Sequence, residues 1–145
     1  MSRIFEQPLS EKLRTYLRIE QTFERFATLI ASTDRAVHYA AFAALFELME
    51  MTDHGDLRAD LHSDLDKQLQ QIATYRNNPQ VDQEKLLRFE LQLKKLHQWI
   101  VNFPGKFTAK LKDNEFLYAV KHRYALPGGT VACDLPRLHV FLNQT

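Results

Sequence analysis

The chain has 145 residues, of which 45% are hydrophobic and 26% are charged, and its 19 basic and 18 acidic side chains leave a net charge of +1. This length suits one domain, or one domain and part of another, and the low numbers of glycine (4) and proline (5) exclude a collagenous, loop-rich or disordered chain. The near-neutral charge disfavours a general nucleic-acid binder, and the one cysteine, Cys133, excludes a disulfide scaffold and fits a reducing cytosol. No secretion signal and no membrane span are expected.

Most of the chain has the hydrophobic periodicity of amphipathic helices. After a short extended start at residues 3–5, Ser10 is a good N-cap for a first helix. We expect one apolar stripe of that helix to face inward: Leu13, Leu17, Phe23, Phe26 and Ile30. The next run, residues 37–51 after an Asp34 cap, is apolar nearly all round, which predicts a helix in the middle of a bundle with Gly55 as its C-cap.

Two further long helices are predicted, the first over about residues 56–77 and the second after an Asp82 cap. The second has apolar residues at alternating steps of three and four: Leu86, Phe89, Leu93, Leu96, Ile100 and Phe103. This alternation is typical of a coiled coil, and it requires a long partner helix either in the same chain or in a second copy.

The C-terminal part of the chain changes character. A shorter helix is expected around residues 114–124, and a turn at 126–129 precedes the β-prone stretch 130–133, where Cys133 is expected to be buried. Asp134 then begins a last helix. The predicted fold is mainly α, a bundle of long amphipathic helices with short flanking β-strands that belong to an incomplete β-domain. It has three segments: an N-terminal β-strand segment (1–9), a helical bundle (10–125), and the start of a β-domain or terminal helix (126–145).

The sequence shows no set of residues with the spacing of an active site. Its histidines form no H-E-x-x-H pair, Cys133 has no second cysteine for a zinc site, and the Gly128-Gly129 pair lacks the spacing of a phosphate-binding loop. His54 and His62 lie among aspartates 53, 56, 60 and 64, but these residues flank His62 only loosely on a helix. We therefore predict no catalytic residue, no metal and no cofactor, and a protein that is not an enzyme.

Charge is unevenly distributed along the chain. Between Glu47 and Asp66 there are seven acids and one base, whereas between Lys94 and Arg123 there are seven bases and two acids. Either stretch can be an ordinary solvated helix face. The basic stretch leaves a helical nucleic-acid-binding module, or another protein-interaction module, as the alternative function.

The first helix carries two arginines whose charges are not balanced locally. Arg14 and Arg18 are four residues apart and share a helix face, and Glu11 lies one turn before Arg14, but no acid lies one turn from Arg18. Such a pair suits an external carboxylate, which the guanidinium fork binds through two hydrogen bonds. The alternative is an acid on a neighbouring helix, and both interpretations apply equally to the basic run 121–123.

Two blocks of the sequence stand in order with divergent helices between them: residues 5–20 (FEQPLSEKLRTYLRIE), and residues 126–129 (LPGG) with 133–139 (CDLPRLH). The second is similar to the P-G-G…D-L-P-x-L-H stretch of the ZapD (YacF) family, and the first resembles the opening of that family. The resemblance implies a helical bundle beside a β-domain, a symmetric homodimer, and binding to the C-terminal tail of the division protein FtsZ, whose filaments are cross-linked at the division ring. Family members continue past Thr145, so the chain is expected to be truncated.

The resemblance also assigns candidate partner-binding residues. Its basic positions correspond to Arg14, Arg18, Arg123 and His139, with Lys121 beside them, whereas an arginine of the family is replaced here by Glu115. With Tyr16 as an aromatic anchor, these residues are expected to form a groove for an acidic and apolar tail. On this hypothesis the protein is a non-enzymatic, cytoplasmic factor at the mid-cell division ring, without contact to membrane or nucleic acid.

Overall fold

The computed structural model describes residues 9–131 and 133–144. These residues form seven helices and no strand: α1 (Glu11–Ile30), α2 (Arg35–Asp53), α3 (Leu57–Tyr75), α4 (Gln83–Asn102), α5 (Ala109–Lys112), α6 (Glu115–Tyr124) and α7 (Pro136–Asn143). The mainly α prediction is therefore confirmed, although the sequence did not predict the short α5. The chain divides into two compact units, of which unit 1 comprises Met1–Thr52 with Thr108–Thr145 and unit 2 comprises Asp53–Phe107.

Helices α1, α2 and α4 begin at the predicted capping residues Ser10, Asp34 and Asp82, whereas α7 has Leu135 rather than the predicted Asp134 at its N-cap. The Ser10 hydroxyl accepts the backbone N–H of Leu13 (3.2 Å), and the Asp34 carboxylate accepts that of Ala36 (2.9 Å). These bonds satisfy N–H groups that the first turn of a helix leaves without a partner. Side-chain caps of the same kind begin three later helices: Asp56 for α3, Asp82 for α4 and Asn114 for α6.

Unit 1 has a continuous apolar core. Its buried members come from α2, from α6 and from the region of α7: Phe42, Phe46, Met49, Val120, Leu135, Leu138 and Leu142. Phe42 lies edge-on to Phe116 and to Phe141, with ring centroids 6.2 and 6.1 Å apart. The segment that is apolar nearly all round thus lies in the middle of the packing, as predicted.

Helix α1 does not bury the stripe that the sequence predicted to face inward. Leu13, Phe23 and Ile30 are exposed, Leu17 and Phe26 are half-buried, and the buried residue of this helix is Thr22. The core of unit 1 closes between α2, α6 and α7, and none of its described members comes from α1. Contact to α2 includes an exposed ion pair in which Arg25 donates to Glu47. The prediction was wrong for the three exposed positions because periodicity identifies an apolar face but not the element that covers it.

Unit 2 is an antiparallel hairpin of α3 and α4. Near its open end, Arg58 of α3 donates to the backbone carbonyl of Val101 of α4 (2.7 Å), and near the connecting turn Arg76 donates to Glu90. The buried apolar residues are Leu57 and Ile72 on α3 and Leu93 and Ile100 on α4. The partner helix of the predicted seam therefore lies in the same chain.

The predicted apolar seam of α4 is only partly buried. Leu93 and Ile100 are buried, but Phe89 is 48% and Leu96 is 52% exposed. Within unit 2, α3 covers only a narrow arc of the α4 surface, and alternate seam positions are exposed.

The predicted strand at 130–133 is not present in its described residues. The carbonyl of Val131 accepts the N–H groups of both Asp134 and Leu135 at 3.0 Å, and Cys133 is exposed rather than buried. The backbone groups that a β-strand would use for hydrogen bonds to a neighbouring strand are therefore engaged in local turn hydrogen bonds. The other predicted strand, at residues 3–5, lies outside the described residues. Across the described ranges, no helix combines the length and the apolar character that crossing a membrane requires.

Candidate partner-binding cleft

An open cleft of about 410 Å³ lies in unit 1 beside α6, and it is called the α6 cleft below. Its lining comes from α2, from α5 and from α6 with the residue that follows it: Met49, Leu111, Lys112, Leu117, Tyr118, Lys121, His122 and Ala125. Buried Met49 and half-buried Leu111 and Leu117 form an apolar floor. The cleft therefore combines an apolar surface with basic side chains along its wall.

The start of α6 sets the arrangement of these side chains. Asn114 caps the helix by accepting the N–H of Leu117 (3.0 Å). Residues four apart lie above one another on a helix, so Leu117 stands beside Lys121 in one row and Tyr118 beside His122 in the next. The rings of Tyr118 and His122 are nearly parallel, with an interplanar angle of 4° and centroids 6.4 Å apart.

The charge of the cleft is positive. Lys112, Lys121 and His122 are its ionisable residues together with the phenol of Tyr118, and no carboxylate is among its described lining residues. Lys121 and His122 also lie in the last turn of α6, where positive charge stabilises the exposed backbone carbonyls. A peptide carrying both apolar and acidic side chains is the chemical complement of this surface.

The predicted site residues of the C-terminal part are distributed over different surfaces. Lys121 is half-buried on the wall of the cleft. Arg123 lies outside it, with Nη1 at 4.0 Å from Oδ1 of Asp134, so a carboxylate of the same chain is at the limit of ion-pair distance. His139 is exposed on α7 and does not line the cleft.

The predicted site residues of α1 do not line the cleft either. Arg14 forms the expected local ion pair with Glu11, at 3.1 Å. Arg18 is exposed, and within residues 9–131 and 133–144 no carboxylate forms an ion pair with it. Tyr16 is half-buried. Arg14 and Arg18 thus present charge on α1, separately from the lining of the α6 cleft.

Several lining residues were not anticipated from the sequence. Lys112 and Tyr118 were not selected, and His122 was considered only as part of the basic run 121–123, although the spacing of 117 with 121 and of 118 with 122 could have indicated two rows on one helix face. Glu115, which replaces an arginine of the resembled family, does not line the cleft. It lies in the first turn of α6, where a negative charge stabilises the helix through its dipole.

The structure also shows which acidic side chains lie near two of the histidines. His54 and His62 do not form a metal-binding group with aspartates 53, 56, 60 and 64 among the described residues. His62 instead meets Asp66 and His97 within unit 2.

A family model and individual proteins similar to this chain all point to the same family. The family model described as "ZapD: Cell division protein" matches residues 17–145. Proteins named "Cell division protein ZapD" from Azoarcus sp. (strain BH72) and Nitrosomonas eutropha are 34% identical to this chain over 140 residues, and one from Chromobacterium violaceum is 38% identical over 141 residues. Each comparison covers 97% of this chain but 56% of the relative, so the chain spans little more than half the length of these relatives. The chain belongs to the ZapD family of cell division proteins.

Proposed function

We propose that this chain acts in bacterial cell division by binding the C-terminal tail of FtsZ without catalysing a reaction, and that two copies cross-link FtsZ filaments. The observation that carries the proposal is the α6 cleft, which combines an apolar floor with Lys112, Lys121 and His122 and has no carboxylate among its described lining residues. Membership of the ZapD family supports a role in division. The site of action would be the division ring at mid-cell, on its cytoplasmic side.

The chemistry of the tail fits this cleft. FtsZ tails, on the family resemblance, are short peptides that carry acidic and apolar residues and are disordered until bound. An apolar side chain can enter above Met49 and Leu117, while a neighbouring carboxylate pairs with Lys121. Ordering the peptide costs several kcal/mol, so we expect one contact to be weak and sensitive to salt.

The α1 arginines provide a second basic contact in this proposal. Arg18 is exposed and has no ion-pair partner in the described part of the chain, so its guanidinium group is available to a carboxylate of the tail. Tyr16 is half-buried on α1, and because residues two apart do not share a helix face, its ring lies on a different side of the helix from Arg14 and Arg18.

Cross-linking requires more than one tail-binding site in the assembly, which a homodimer supplies. Support for a dimer comes from the large apolar side chains that α4 exposes: Leu87, Phe89, Leu91, Leu96, Trp99 and Val101. By helical periodicity Phe89, Leu96 and Trp99 share one side of α4, and contiguous exposed apolar surface marks interaction sites. An FtsZ filament presents many tails close together, so a dimer with two weak binding sites binds it with high avidity. A dimer whose two sites hold tails of different filaments cross-links those filaments.

The decisive experiment is co-sedimentation of the chain with polymerised FtsZ, intact or lacking its C-terminal tail. We expect Lys121→Glu to weaken tail binding by at least about tenfold, because it removes one charge-assisted contact and adds a repulsive charge. The matched control is Lys110→Glu, which makes the same charge reversal on α5 at a residue that does not line the cleft. Fluorescence anisotropy with a labelled tail peptide gives the affinity of each variant.

Arg18→Glu tests the second contact in the same assays. We expect it to abolish bundling while the far-UV circular dichroism spectrum, and therefore the helix content, is unchanged. Binding that survives removal of the FtsZ tail would contradict the proposal. Equal losses in Lys121→Glu and Lys110→Glu would show that overall charge, rather than the α6 cleft, attracts the tail.

The same variants also test the alternative function, nucleic-acid binding. The basic residues between Lys94 and Arg123 are divided between the two units, and Lys94 is engaged by Glu90 at 2.6 Å. A nucleic-acid module predicts a steep salt dependence with plain duplex DNA. Tight DNA binding that Lys110→Glu and Lys121→Glu weaken equally would favour that alternative.

A further inference from the structure

Two histidines and one aspartate come together in unit 2. His62 and Asp66 lie one turn apart on α3, and His97 reaches them from α4. Asp66 Oδ1 is 2.8 Å from His97 Nε2, and Asp66 Oδ2 is 3.4 Å from His62 Nδ1. One potential ligand atom from each of the three residues lies within 4.8 Å of the other two, and all three side chains are half-buried.

A simple hydrogen-bonded ion pair does not account for this cluster. His97 Nε2 is buried and makes no hydrogen bond in the described structure, although an Asp66 oxygen is only 2.8 Å away. The oxygen is therefore poorly aligned with the N–H direction of the ring, and hydrogen bonds weaken steeply with such misalignment. The two imidazole rings are 4.6 Å apart, so two protonated rings would repel each other.

We propose that His62, Asp66 and His97 bind a divalent transition metal of the zinc class. Two imidazole nitrogens and one carboxylate oxygen are a common donor set for zinc, with a fourth position left for water. Ligand atoms about 2.0–2.1 Å from a tetrahedral metal lie about 3.3 Å from each other. The two short contacts of Asp66 use different oxygens, Oδ1 toward His97 Nε2 at 2.8 Å and Oδ2 toward His62 Nδ1 at 3.4 Å, so the carboxylate lies within this range of both histidines.

The sequence predicted no metal, because the aspartates at 60 and 64 flank His62 only loosely on one helix. The hairpin instead brings His62 together with Asp66, one turn further along α3, and with a second histidine from α4. A metal held by His62 and His97 joins α3 to α4, and a ligand that binds only the folded state raises its stability by mass action. None of the three residues lines the α6 cleft, so this proposal stands or falls independently of the proposed function.

The test is isothermal titration of the full chain with Zn²⁺, with Co²⁺ as a second probe. We expect one zinc per chain, a rise in melting temperature with zinc, and visible absorption bands when Co²⁺ occupies the site. His62→Gln and His97→Gln should each weaken zinc binding by more than about tenfold, since loss of an outer-shell partner alone costs about 10–100-fold. The matched control is His54→Gln, which changes a histidine of the same unit outside the cluster.

Two results would overturn the proposal. One is zinc binding too weak to saturate in the millimolar range, which leaves the trio as an ion pair. The other is an affinity that His54→Gln lowers as much as His97→Gln, since the metal would then use other ligands. Circular dichroism of each variant confirms that it is folded, and an unchanged spectrum with lost Co²⁺ absorption assigns the loss to the ligand itself.

Discussion

The two units differ in how far apart in the chain their contacts lie. Unit 1 packs α2 against α6 and α7, so its core joins Phe42 and Phe46 to Leu138 and Leu142 across the whole of unit 2 in sequence. Unit 2 is a hairpin of two consecutive helices joined by a short turn. Local contacts close a short loop at low entropic cost, whereas the core of unit 1 must bring distant segments together.

The units also differ in how completely they cover their apolar side chains. In unit 1, Val120 and Leu138 are 0% and 1% exposed. In unit 2, the inner face of α4 is buried, but Leu96 and Trp99 are 52% and 55% exposed. We infer that the core between α2, α6 and α7 is more fully enclosed than the packed face of α4, and that α4 has apolar surface left for a partner.

Core truncation in unit 1 should give the largest effect. We expect Leu138→Ala to lower the free energy of unfolding by about 2–5 kcal/mol, because it removes a fully buried side chain and leaves a cavity. The matched control is Val140→Ala in the same helix, where the side chain is 54% exposed and the expected change is within about 0.5 kcal/mol. Urea denaturation followed by circular dichroism measures both, and similar losses in the two variants would contradict the core assignment.

The same comparison within α4 should give a smaller difference. We expect Ile100→Ala to cost about 2 kcal/mol, because it truncates a buried side chain, and Leu96→Ala to stay within about 0.5 kcal/mol. Trp99, the one tryptophan of the chain, reports unfolding of α4 by its fluorescence. These values apply to the monomer at low chain concentration, where similar losses at the two positions would contradict the core assignment of Ile100. A loss at Leu96 that grows with chain concentration would instead support the dimer proposed through this face of α4.

The helices could be predicted because their determinants are local. Ser10, Asp56 and Asp82 each accept N–H groups within three residues of themselves, so a capping residue before a periodic segment is enough to place a helix start. The turn at 126–131 shows the limit of this reasoning. Thr130 and Val131 have β-prone side chains, but a strand needs a neighbour, and their backbone is instead held in local turns.

The burial of apolar faces could be predicted only in part. The stripe of α1 and the seam of α4 have the same kind of periodicity as buried helices, yet Phe23 and Leu96 are exposed. Periodicity records that a face is apolar, whereas burial depends on which other element reaches it. That information lies in the three-dimensional arrangement rather than in the spacing.

Among the candidate site residues, too, local contacts could be predicted from the sequence, whereas contacts between different helices could not. The Arg14–Glu11 pair was predictable because both residues lie on one helix turn. The floor of the α6 cleft was not, since Met49 and Leu111 come from different helices and meet only in the fold. His62 and His97 likewise lie on different helices, so their proximity follows from the register of the hairpin.

The smallest expected effect concerns an ion pair of unit 2 and its dependence on pH. Hydrogen bonds from Lys94 and from Arg76 hold the pKa of buried Glu90 below its ordinary value of 4.5. A carboxylate whose pKa is lower in the folded state stabilises the fold at any pH above the unfolded value, and this contribution is lost as the pH falls through the folded value. We therefore expect Glu90→Gln to lower the melting temperature at neutral pH by a few degrees.

Acidification should remove this difference between the variant and the parent chain. Below pH 4.5 the parent chain progressively protonates Glu90, so the two melting temperatures should converge. The matched control is Glu84→Gln, which breaks the exposed pair with Arg88 on the same helix, and exposed pairs contribute little. A gap between Glu90→Gln and the parent chain that persists unchanged into acid would show that the side chain stabilises the hairpin by packing rather than by its charge.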